Sequence, residues 1–197
     1  MISTRSTGGL ARVRISKEDV KDARAMLRGV QNGFVRAYSR ALNKTTTGVR
    51  TDLVTLAREE YTFKAKAVRS RIRVKRSSWS NLESSVTSTG GGVLLTDFTG
   101  TRQTKKGLSV NIKKSTGRDV LEHAFKNRAN SGKYVSMWRA IEDGRRVGRY
   151  PVEAIYGPHP EHVYNAPENW PRIEARADER LSENFTHEID YVLTRYA

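Results

Sequence analysis

His159-Pro-Glu-His162 places two imidazoles and a carboxylate within four residues, the kind of set that holds a divalent metal or moves protons. Metal ligation needs such groups on one face, as the histidines of a helical HExxH site are. Here the histidines are three apart and stand beside Pro158 and Pro160, so the spacing predicts exposed loop residues and no metal. His123 and His187 are isolated. Serines are plentiful, but none sits in Gly-x-Ser-x-Gly. The chain has no cysteine, which removes disulfides and thiolate metal sites and fits a reducing compartment. The glycines form neither GxxxxGK[ST] nor GxGxxG, and Gly90-Gly91-Gly92 reads as a turn before a ligand loop. Glu59-Glu60 and Asp178-Glu179 are adjacent acids on helical patterns, pointing apart into solvent. The sequence thus predicts no enzyme, no catalytic residue, no metal and no cofactor.

The chemistry the chain does offer is cationic. Between Phe63 and Arg76, seven of fourteen residues are basic: Lys64, Lys66, Arg69, Arg71, Arg73, Lys75 and Arg76, with no acid among them. Arg102, Lys105 and Lys106 lie in a second basic segment, followed by Lys113 and Lys114. Two readings compete. The charges are the solvated face of a short helix and strand, or they meet a polyanion or an acidic protein surface. In a nucleic-acid complex they would neutralise phosphates in a salt-dependent, sequence-independent way, with Trp79 packed on a base or sugar. No helix-turn-helix, zinc-finger, RRM or KH signature accompanies them.

The elements that must carry these charges are legible from periodicity. Leu10 to Ile15 alternates apolar and basic residues, as a strand or extended arm does. Ser16 before Glu18 and Asp19 is an N-cap with acids in the first turn. Apolar residues then recur at steps of three and four through Val20, Ala23, Leu27, Val30, Phe34, Tyr38, Ala41, Val49, Leu53 and Leu56, an amphipathic helix ending near Tyr61. Gly29 and Asn32-Gly33 should kink or break it. Val68 and Ile72 continue a helical face, and from Arg71 the order Arg-Ile-Arg-Val-Lys alternates as a strand. Leu82 to Thr87, Val93 to Phe98, Leu108 to Ile112 and Tyr134 to Trp138 read as strands, and Val120 to Lys126 as a strand or helical turn. Thr99 to Gly107 reads as an exposed basic hairpin loop, and Asp143-Gly144 as a turn. Ile173, Ala177, Leu181, Phe185, Ile189 and Val192 mark a second clear helix.

Composition sets the outer bounds. With 197 residues and 37% hydrophobic content, the chain fits one domain with a modest core and partner-covered segments. It lacks a signal-peptide pattern and any run of apolar residues long enough to span a bilayer, so a soluble protein without a membrane is expected. The net charge of +15 is uneven. Residues 1–80 hold 19 basic and 6 acidic groups, residues 81–150 hold 13 and 6, and residues 151–197 hold 4 and 9. A basic front and an acidic end suit a polyanionic partner, or head-to-tail pairing between copies.

Several segments, taken in order, resemble the phage and prophage minor tail protein Z family of tail-completion proteins. They are Arg40-Ala-Leu-Asn-Lys44, Gly48-Val-Arg-Thr51, the passage from Tyr61 to Arg76, and Thr101-Arg-Gln-Thr-Lys-Lys-Gly-Leu-Ser-Val110. His123-Ala-Phe125 and Tyr150-Pro-Val-Glu-Ala-Ile-Tyr-Gly-Pro158 follow, ahead of the closing acidic helix. The resemblance implies a structural virion protein at the head-proximal end, or neck, of the tail, acting late in assembly so that the tail can join a filled head. It implies tail tube, tail terminator and head–tail connector subunits as neighbours, with a homo-oligomeric ring, possible contact with genomic DNA, and host cytoplasm as the place of assembly.

The expected fold is α+β: a long N-terminal helix and a C-terminal helix packed on a mostly antiparallel sheet with exposed basic hairpin loops. One domain is expected over 1–197, with an extended arm at 1–15, a helical region at 16–61, a basic β-rich region at 62–156 and an acidic helical region at 157–197. The basic residues from Lys64 to Arg76, with Arg102, Lys105 and Lys106, form the expected partner- or DNA-facing surface. The alternative is a non-specific nucleic-acid-binding protein using the same Lys64–Arg76 run.

Overall fold

The computed structural model describes residues 2–6, 9–13, 17–128, 134–139, 141–142, 145–146 and 152–196. The first elements are β1 (Ile2–Ser6), β2 (Gly9–Val13), α1 (Lys17–Met26), α2 (Gly33–Glu60), α3 (Ala65–Arg69), β3 (Ile72–Lys75) and β4 (Ser84–Ser88). A 3-10 turn (Leu95–Asp97) precedes β5 (Arg102–Gln103), β6 (Gly107–Val110), β7 (Asp119–Glu122), β8 (Ala124–Arg128) and β9 (Tyr134–Arg139). Then come β10 (Ile141–Glu142), β11 (Arg145–Arg146), β12 (Val152–Ala154), α4 (Glu161–Tyr164) and α5 (Asn169–Tyr196). The class is α+β, as the sequence predicts. Its described strands are shared among several small sheets, ordered β2-β1-β4-β3, β5-β6-β7, β12-β9-β8 and β10-β11. The arm strand β1 runs parallel to β4, and the remaining pairs are antiparallel.

The chain forms two compact units. One comprises Met1–Val54, Arg71–Thr89 and Tyr164–Ala197; the other comprises Thr55–Ser70 and Gly90–Val163. In the first unit α2 and α5 run antiparallel, because their apolar stripes face each other. Ala37, Ala41, Leu42, Val49 and Leu53 are buried from α2, and Ile173, Ala177, Leu181, Phe185 and Val192 from α5. Phe34, Tyr38 and Phe185 close one end as an aromatic cluster with ring centroids 5.6–6.2 Å apart. The expected break in the first helix lies at residues 27–32, where Asn32 takes a left-handed φ of 58°. Ser16 and the Asp143-Gly144 turn lie outside the described residues.

Two polar features tie α5 to α2. Arg180 pairs with Asp52 through both terminal nitrogens, at 2.6 and 3.3 Å. Its side chain crosses α2 over Gly48, where a Cβ would stand 2.5–2.8 Å from it, so a mid-helix glycine has a packing reason here. Glu188 is 1% exposed, and its two carboxylate oxygens face Arg40 at 2.8 Å and Lys44 at 2.5 Å. The sequence reading took Ile189 for the core stripe. The helix turns Glu188 inward instead and leaves Ile189 half-buried, because Arg40 and Lys44 of α2 face position 188, which fits the helical spacing as well as 189 does.

In the second unit Tyr61 stacks on Phe63 with centroids 5.1 Å apart, and Phe63 meets Phe98 at a tilt with centroids 4.9 Å apart. Val93 to Phe98, expected as a strand, is corrected to isolated bridges at Leu94 and Phe98 around the 3-10 turn. The burial explains it. Val93, Leu95, Thr96 and Phe98 are all buried, a pattern that does not alternate, and a 3-10 turn brings residues 95 and 98 to the same side. Gly157 lets the chain pass the Phe98 ring, since a Cβ there would meet ring carbons at 2.7 and 2.9 Å. The stretch from Val120 to Lys126 is two strands meeting at His123, whose φ of 61° turns the chain from the β5-β6-β7 sheet into the β12-β9-β8 sheet.

Candidate assembly surfaces

The basic run is built as its alternation suggests, but it is divided between the two units. Lys64, Lys66 and Arg69 flank or lie on α3 in one; Arg71, Arg73, Lys75 and Arg76 lie on or beside β3 in the other. In α3 the buried residues are Ala67 and Val68, so Lys66 and Arg69 face outward. In β3 Ile72 is buried and Val74 half-buried, while Arg73 and Lys75 are exposed. Arg71 departs from the expected outward set by being half-buried, and its carbonyl accepts the Thr89 amide at 2.8 Å and the Thr89 hydroxyl at 2.9 Å.

β3 is the outer strand of its sheet, paired with β4 in the register Ile72↔Ser88 to Lys75↔Ser85. Its end is fixed from α2. Ser77 is buried, with its hydroxyl 2.8 Å from that of Ser39, and its amide donates to the Asn43 side-chain oxygen at 2.9 Å. The strand edge therefore presents Arg73, Lys75 and Arg76 from a rigid base. Among the described residues none of these three, nor Lys64 or Lys66, is ion-paired to a carboxylate. Trp79, just beyond, is 58% exposed, and the Arg36 guanidinium lies 5.1 Å over its ring.

The second basic segment is a short hairpin, β5 to β6, with Arg102, Lys105 and Lys106 exposed. Its turn is closed internally: the Thr104 amide and hydroxyl both donate to the Gly107 carbonyl at 2.8 Å. Gly107 is required because a Cβ would run into the Leu121 carbonyl. Gln103 links this hairpin to β8 by accepting the Lys126 amide at 2.9 Å. A cavity of about 400 Å³, lined by Gln103, Lys105, Lys106, His123 and Phe125 among others, opens beside the tip.

His159 and His162 lie together, ring centroids 5.6 Å apart, and His159 Nδ1 accepts the Gly91 amide at 3.0 Å. That bond fixes the chain around Gly91 and uses one of the nitrogens a metal would need. Among the described residues no group of three His, Asp or Glu side chains is placed to hold a metal, and no helix is long and apolar enough to cross a membrane.

Cations that the sequence reading did not single out also matter. Lys126 donates to the Thr101 carbonyl at 2.5 Å and Arg118 to the Gly100 carbonyl at 2.8 Å, and they join Lys64, expected from the basic run, which donates to the Thr96 carbonyl at 2.6 Å. No periodicity announces these contacts, because they cross between separate segments. Residues 18–197 match the family model described as prophage minor tail protein Z (GPZ). No curated protein and no solved structure matches the chain.

Proposed function

This chain belongs to the prophage minor tail protein Z family, a family of phage tail proteins, and from that membership we propose that it completes the head-proximal end of the tail and makes it competent to join a head. It does so as a non-enzymatic part, repeated in a ring and bounded by tail tube, terminator and connector subunits. The basic residues are its contact surfaces: Lys64, Lys66 and Arg69 beside α3, Arg71, Arg73, Lys75 and Arg76 at β3, and Arg102, Lys105 and Lys106 on the hairpin.

The observation that carries this reading is the β3 edge, where Arg73, Lys75 and Arg76 stand exposed on a strand anchored from beneath. Charged edge strands also serve simply to block unwanted strand pairing. The two roles separate by experiment. Arg73, Lys75 and Arg76 changed together to Ser should leave the melting temperature nearly unchanged, since exposed charges contribute about 0–1 kcal/mol. Phage carrying the triple variant should make tails that fail to join heads. Normal joining by this variant refutes the contact role.

The nucleic-acid reading has one specific observation in its favour, the exposed Trp79 beside the basic β3 edge. It requires isolated protein to bind random duplex with a steep salt dependence. Absence of such binding at low salt eliminates it.

A further inference from the structure

Lys64, Arg118 and Lys126 come from three separate segments of one unit, and each donates to a carbonyl of the short stretch from Thr96 to Thr101. That stretch is itself braced. The Thr101 hydroxyl donates to the Leu95 carbonyl at 2.7 Å, the Thr99 amide to the Thr62 carbonyl at 2.7 Å, and the Thr96 hydroxyl to the Tyr134 carbonyl at 3.0 Å. Three cations are thus held on a fixed framework. Each ammonium gives one of its three hydrogens to a carbonyl, and the guanidinium likewise keeps further donors.

The grouping is electrostatically incomplete. None of the three forms an ion pair with a carboxylate among the described residues. Lys126 is half-buried, and burial, with the nearby Lys64 charge adding to it, lowers its pKa below the usual lysine value. Anchoring these cations to carbonyls of one short stretch, with Lys126 half-buried, places positive charge where an anion would relieve it.

We propose that Lys64, Lys126 and Arg118, fixed on the Thr96–Thr101 carbonyls, form a docking site for carboxylate side chains of an acidic polypeptide segment on a neighbouring subunit. The chemistry favours carboxylates over a nucleic-acid backbone. Each cation is tied to a carbonyl of one six-residue stretch, whereas a phosphate backbone is followed by a longer track of cations. Asp97 and Asp119 adjoin the site in the chain, and their charges interrupt any such track. The acidic segment at residues 151–197, with 9 acidic and 4 basic groups, shows that this chain itself carries sequence of the required sign.

This proposal rests on the assembly reading, and the tests keep the two apart. Isolated protein is titrated with a hexaglutamate peptide at constant ionic strength, with a random 20-base-pair duplex as the second probe. Lys126→Gln and Lys64→Gln should each weaken peptide binding by about tenfold, the usual scale for losing one charge-assisted contact. Lys126→Arg should retain binding, and Lys21→Gln, at an exposed position of α1 outside the proposed contact residues, should change it by less than about twofold. Circular dichroism confirms that each variant is folded. No measurable peptide binding, equal loss in all variants, or loss of duplex binding in place of peptide binding overturns the proposal. Head–tail joining by phage carrying Lys126→Gln tests the assembly reading separately: normal joining by a variant that has lost the peptide refutes that role for the site while leaving its chemistry standing.

Discussion

Replacing Glu188 and replacing its two cations should have opposite consequences. The carboxylate is 1% exposed, while the Arg40 and Lys44 side chains are 47% and 45% exposed. The desolvation cost, several kcal/mol for a buried ion, therefore falls almost entirely on the anion. Glu188→Met substitutes an apolar side chain of similar volume and releases both cations to water. Its net effect on stability should lie within about 1 kcal/mol of zero, because the lost attraction and the lost desolvation cost offset each other. Arg40→Ala with Lys44→Ala leaves the carboxylate buried with neither countercharge. That defect should cost about 3–5 kcal/mol. A further loss of roughly 0.5 kcal/mol comes from the Arg40 guanidinium, which lies 4.5 Å over the Tyr191 ring. Urea unfolding at neutral pH, followed by circular dichroism, measures both variants on one scale. If Glu188→Met loses as much as the double alanine variant, attraction outweighs desolvation and the reasoning fails.

What the sequence discloses follows from how each contact is encoded. Burial on one face of a helix leaves a periodic trace, so α2 and α5 are readable to within a few residues. Glu188 shows the limit of that trace: 185, 188 and 192 fit the helix as well as 185, 189 and 192, and only the facing Arg40 and Lys44 decide between them. Strand alternation located β3 and its outward charges for the same reason. The segment from Val93 to Phe98 reads as a strand in sequence because its apolar run carries no alternation, and a largely buried 3-10 turn shares that composition. Lys126 and Arg118 were invisible for a different reason. Their partners are backbone carbonyls, which every residue carries, so no side-chain pattern marks the place where three segments converge.

Gly157→Ala should destabilise by about 1–3 kcal/mol through overpacking, because the new methyl group meets the buried Phe98 ring at 2.7 Å; an unaltered urea midpoint would show that the ring can move aside. The last expectation concerns the strand that carries the basic edge. Ile72 is 3% exposed and opposes Ser88 in the β3–β4 register, while its strand neighbour Arg73 is exposed. Ile72→Asp therefore places a carboxylate in a buried apolar position, away from the exposed Arg73, and the usual scale for such a defect is about 3–5 kcal/mol. The loss should appear as lowered thermal stability and poor soluble yield, before any question of tail assembly arises. Removing the exposed charges one residue away should cost almost nothing by the same measure. A stable Ile72→Asp variant would place Ile72 at the surface, and the inward and outward faces of β3 would have to be exchanged.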